Sequence, residues 1–81
     1  MDFRQLQDRL IANLRERVRS GELTERGLAR LTGISQPHIH NVLKGIRLLS
    51  METADQILQG LDMELLDLIE PQDVVEWRRR Q

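Results

Sequence analysis

Cysteine is absent from this chain, which excludes disulfides and thiolate metal sites. Tyrosine is absent too, and Phe3 and Trp77 are the only aromatics. Recognition of single strands or RNA by base stacking needs aromatic platforms, so those functions are not expected. No apolar run approaches the roughly 20 residues of a membrane-spanning helix. The opening MDFRQLQDRL also lacks the apolar core of a signal peptide. The expected location is the cytoplasm, away from membranes. No stretch alternates apolar and polar residues as a half-buried strand would. His38 and His40 are the only histidines, and their two-residue spacing sends them to different sides of a helix. That is not a metal-ligand spacing, and no metal or cofactor is expected. A glycine elbow with Ser, His and Asp is lacking, as is a phosphate loop, so no enzymatic activity is expected either.

What is present is a single domain's worth of helix. The chain has 81 residues, and a domain of that size buries only about 60% of the surface its unfolded chain exposes. A partner chain would therefore stabilise it. The net charge of −1 hides a polarised distribution. Residues 1–49 carry a net +4, residues 50–73 a net −7 with no basic residue, and residues 74–81 a net +2. Surface fields follow where charge sits rather than its total, so the basic N-terminal part can still face an anionic partner.

Helix punctuation is dense. The first helix is predicted over about 3–19, capped by Asp2 with Gln5 completing a capping box. Phe3, Leu6, Leu10, Leu14 and Val18 make its apolar stripe. Ser20 and Gly21 end it. A second helix is predicted over about 25–32, capped by Thr24, with Leu28, Ala29 and Leu31 apolar and Gly33 as the stop. A third follows over about 36–44, capped by Ser35. Pro37 lies in its first turn, where a missing N–H is harmless. Ile39, Val42 and Leu43 form its inward side, and Gly45 closes it. The fourth is predicted over about 51–61 behind Ser50, with Met51, Ala54, Ile57, Leu58 and Leu61 facing in and Asp62 taking a left-handed turn. A short fifth helix over about 65–70 should end before Pro71. The tail, QDVVEWRRRQ, either packs through Val74, Val75 and Trp77 or frays.

The stretch TERGLARLTGISQPHIHNVLKG, residues 24–45, carries the functional signal. Two short helices joined by so tight a turn must touch closely. Ala29 is the small residue for the crossing, Gly33 supplies positive φ in the turn, and Ile34, Ile39 and Val42 anchor the second helix. The outward face of that helix is then Gln36, His38, His40, Asn41 and Lys44. No acidic residue occurs between Glu25 and Glu52. Gln and Asn amides can offer both a donor and an acceptor to one base edge.

With SMETADQILQGLD and ELLDLI following, this stretch resembles the phage-repressor-like (Cro/C1, or XRE) family of helix-turn-helix regulators over about residues 6–69. The resemblance implies an all-α, compact five-helix lambda-repressor-like domain over residues 1–70, followed by a tail at 71–81. Helices two and three are its helix-turn-helix, and the third enters the major groove of duplex DNA. By position it places Gln36, Pro37, His38 and Asn41 at bases. Thr24, Glu25, Ser35, His40, Lys44 and Arg47 fall near phosphates, and Arg26 on the second helix is a further phosphate candidate. Three positions depart from the family pattern. Glu25 replaces a common glutamine, Pro37 replaces a side chain that often reads a base, and Leu49 replaces a common proline.

The expected function is sequence-specific regulation of transcription, as a repressor associated with a bacterial or phage nucleoid. The alternatives are a protein-interaction module of the same fold, with its partner on the C-terminal tail, and the antitoxin of a toxin–antitoxin pair. A homodimer is expected. Its interface is assigned to Leu65, Leu68, Val74, Val75 and Trp77, which cannot all be buried in so small a core.

Overall fold

The computed structural model of the chain describes residues 2–81. Its elements run α1 (Phe3–Arg19), α2 (Glu25–Thr32), α3 (Gln36–Leu43), α4 (Met51–Gly60), a 3-10 turn (Leu65–Leu68) and α5 (Pro71–Arg80), with no strand among the described residues. Each start has its chemical cause. Asp2 accepts from the Gln5 N–H at 2.9 Å while the Gln5 side chain accepts from the Asp2 N–H at 3.1 Å, closing the expected capping box. Thr24, Ser35 and Ser50 accept from the N–H groups of Gly27, His38 and Thr53, which satisfies first-turn donors of α2, α3 and α4. Gly33 ends α2 with φ 75°, and Asp62 takes φ 53° after α4, as their positions required.

Leu10 and Leu14 of α1, Leu28 of α2, Ile39 and Val42 of α3, and Ile57 of α4 are almost wholly buried and form the centre of the core. Burying each stabilises the fold by about 1.5–3 kcal/mol relative to exposure. The most crowded of the glycines is Gly60, the last residue of α4. A Cβ built there would sit 2.6 Å from the Leu31 carbonyl oxygen and 2.9 Å from the Thr32 Cα. The crossing of α2 and α4 therefore needs hydrogen at this position.

Four sequence expectations are corrected. Phe3 of the α1 stripe and Met51 of α4 do not face inward but are exposed. Phe3 and Met51 each stand in the first turn of a helix, at the rim of the core rather than over it. The segment expected as a fifth helix is only the 3-10 turn Leu65–Leu68. The fifth α-helix lies beyond Pro71, which starts an element instead of following one. Finally, Leu68 is 6% exposed and packs in the chain's own core, so it has no surface to offer a second subunit.

One side chain ties α5 to the rest. The Arg9 guanidinium holds Asp73 through both terminal nitrogens, with Nη2 donating at 2.8 Å, and also donates to the Leu68 carbonyl at 3.0 Å. Asp73 in turn accepts from the Glu70 N–H at 2.8 Å, which fixes the first turn of α5. The hydrogen bonds from Arg9, and then that from the backbone, hold the Asp73 carboxyl well below the usual carboxylate range. A depressed carboxylate pKa contributes stability above its unfolded value and loses it as pH falls further. We therefore expect the tie to persist through mildly acidic pH and to fail only in stronger acid. Fluorescence anisotropy of Trp77, the single tryptophan, reads this directly. Asp73→Asn should show the lowered anisotropy already at neutral pH.

Candidate nucleic-acid interface

Burial of Ile39, Val42 and Leu43 orients α3. At about 100° per residue, the opposite side of that helix is Pro37, His40, Asn41 and Lys44. Pro37, His40 and Lys44 are exposed and Asn41 is half-buried. Gln36 is exposed on one flank of this face, and His38 is half-buried on the other. Gln36, Pro37, His40 and Asn41 line one shallow concavity together with Glu25 of α2. His38 and Arg26 do not line it, although Arg26 is exposed.

Glu25 and His40 meet across the two helices. The His40 Nδ1 lies 3.0 and 3.2 Å from the two carboxylate oxygens, so an N–H there donates to Glu25. This leaves Nε2 as the ring nitrogen open to a ligand. The carboxylate also lies in the first turn of α2, where negative charge is favourable. Thr24 and Ser35 use their hydroxyl oxygens as acceptors in capping. Their hydroxyl hydrogens remain available to donate to an anion.

Beyond α3 the chain turns through Gly45, at φ 75°. The Asn41 carbonyl accepts from the Ile46 and Arg47 N–H groups at 2.9 and 3.2 Å. That fixes where Arg47 leaves the helix, and its side chain is exposed.

Three cations that the sequence reading did not single out border this region. The Arg15 Nε donates to the Leu43 carbonyl at 2.6 Å, at the C-terminal end of α3, where positive charge complements the helix dipole. Arg15 and Arg19 line a cleft with Lys44, and Arg4 and Arg15 line another with Arg47. The signal was in the spacing, because positions 4, 15 and 19 share one face of α1. Basic side chains of α1 thus border Lys44 and Arg47 of the α3–α4 connection, although Arg19 is also paired with Glu16 at 2.5 Å and Glu25 and Asp8 line the same clefts.

No curated protein and no solved structure gives a match. Residues 11–68 match the helix-turn-helix family of the Cro/C1 (XRE) type. They span α2 and α3, and every residue that shapes the exposed face of α3. The chain belongs to this helix-turn-helix family, a family of DNA-binding transcription regulators.

Proposed function

We propose that the protein binds duplex DNA sequence-specifically as a homodimer and represses transcription by occupying its site. The observation that carries this reading is the acid-free outer face of α3, exposed over a buried Ile39, Val42 and Leu43. Its direct readout falls to Gln36 and Asn41, each good amide contact being worth about 1–3 kcal/mol of discrimination. Pro37 offers an apolar contact to a thymine methyl, and His38 reaches the groove from the flank of α3. Thr24, Arg26, Ser35, Lys44 and Arg47 set register on the phosphates. Glu25 acts differently from the expected phosphate contact, because its carboxylate is engaged by His40. A phosphate then meets the imidazole Nε2 rather than a bare carboxylate. Two copies would present their α3 helices about 34 Å apart, to half-sites of a pseudo-palindrome.

Selection of bound duplexes from a random pool tests the proposal. The selected site should bind at least about a thousandfold more tightly than scrambled duplex. A folded sample showing no preference at low salt would overturn it.

The exposed Val74, Val75 and Trp77 of α5 favour one further role, contact with a protein. That is the surface a partner such as a toxin would use if the regulator is an antitoxin. Such an interface, centred on Trp77, should barely respond to salt, whereas DNA binding should respond steeply.

A further inference from the structure

We infer that the apolar groove between α1 and α4 receives α5 of a second copy of this chain, each protomer lending its C-terminal helix to the other. This rests on the homodimer reading above and gives that dimer its interface. The groove is walled by Phe3 and Leu6 of α1 and by Met51 and Ala54 of α4, with Leu65 at its end and Asp55 on its rim. Phe3, Met51 and Leu65 are 67%, 63% and 49% exposed, a contiguous apolar surface with nothing over it.

The same chain carries an unmatched insert. No residue of α5 is buried, and Val74, Val75 and Trp77 stand 43–61% exposed. A ten-residue helix is too short to be stable in water without tertiary cover, and the Arg9–Asp73 tie secures only its first turn. That tie also keeps α5 away from the groove of its own chain. Arg9 stands about a third of a turn round α1 from the middle of the apolar stripe, and neither Val74, Val75 nor Trp77 lines the groove.

Charge selects the occupant. Asp55 lines the groove, and α4 and the turn after it also carry Glu52, Asp62 and Glu64, with no basic residue anywhere between 50 and 73. The insert ends in Arg78, Arg79 and Arg80, all exposed and without an ion pair among the described residues. An apolar helix face followed by three arginines fits an apolar groove bordered by Asp55 on an otherwise acid-rich α4. Exchange about a two-fold axis fills both grooves and places both helices, so it closes at two copies. Leu65 and the trio Val74, Val75 and Trp77 then belong to opposite halves of one contact.

Sedimentation of the full chain, combined with engineered crosslinking, tests this. Met51→Glu places an acid in the groove, and its position in the first turn of α4 keeps the helix stable. Trp77→Ala removes the anchor, and tryptophans of this kind commonly dominate an interface. Each should weaken dimerisation at least about a hundredfold while the melting temperature, extrapolated to the monomer, stays near wild type. In this cysteine-free chain, oxidation of the Met51→Cys, Trp77→Cys double variant should yield disulfide-linked dimers. A dimer that survives both single substitutions, or a 51–77 crosslink formed within one chain, overturns the exchange but leaves the homodimer standing. A wild-type chain that stays monomeric at high concentration and on DNA overturns both.

Discussion

Gly60→Ala should destabilise the domain by about 2 kcal/mol, lowering Tm by roughly 10 °C. The added methyl would meet the backbone of α2 at Leu31 and Thr32 rather than a flexible side chain. Backbone cannot rotate away, so α2 and α4 must separate. Overpacking of this kind costs about 1–3 kcal/mol. The gain in helix propensity from alanine is at most about 1 kcal/mol and is smaller at a helix end. Gln59→Ala, one residue earlier and exposed, should stay within about 0.5 kcal/mol of wild type. Thermal denaturation of the three proteins side by side checks the expectation. A Gly60→Ala protein as stable as wild type would mean that α2 and α4 do not cross here. The effect reaches function because only Gly33, Ile34 and Ser35 join the displaced end of α2 to the start of α3.

The second large effect is on DNA affinity. A protein neutralising 6–10 phosphates loses about 10³–10⁵-fold in affinity between about 50 and 200 mM salt. Lys44, Arg47 and the Arg4–Arg15 face of α1 supply cations for a contact of that size when two subunits bind. The net charge of −1 does not oppose it, because seven of the thirteen acidic residues fall in 50–73 and none lies on α3 itself, whose one acidic neighbour, Glu25, is paired with His40. Lys44→Ala and Arg47→Ala should each lower the slope of log K against log salt by about 1 per contact, and should weaken specific and non-specific binding alike. Fluorescence polarisation over a salt series measures both. A flat salt response would remove the phosphate-contact account and favour the protein-binding role of α5.

Much of this architecture was legible in the residues. The caps Asp2, Thr24, Ser35 and Ser50 and the left-handed turns at Gly33 and Asp62 are local rules, each settled by neighbours within a few positions. The orientation of α3 was readable for the same reason, since Ile39, Val42 and Leu43 are spaced for one side. What failed was long-range or ambiguous. Pro71 is compatible with the end of one helix and with the first turn of the next. Only Asp73, held by Arg9 from 64 residues away, shows that a helix begins there. Met51 and Phe3 follow helical periodicity, but they lie beyond the end of the core that the periodicity points to. Gly60 reads as a helix end, and only the path of α2 reveals why no larger residue fits. The Glu25–His40 pair joins two helices across 15 residues, and nothing local to either residue announces it.

The central claim is that the outer face of α3 is the surface that meets DNA. Pro37→Glu tests it most directly. Pro37 is exposed in the first turn of α3, where a carboxylate favours the helix dipole and should leave folding near wild type. The same carboxylate would sit in the anionic major groove. We predict unchanged helical content and Tm, with affinity for the selected duplex reduced by about a hundredfold, or about 2.7 kcal/mol. Undiminished binding by the folded variant would place the DNA contact elsewhere and contradict the account.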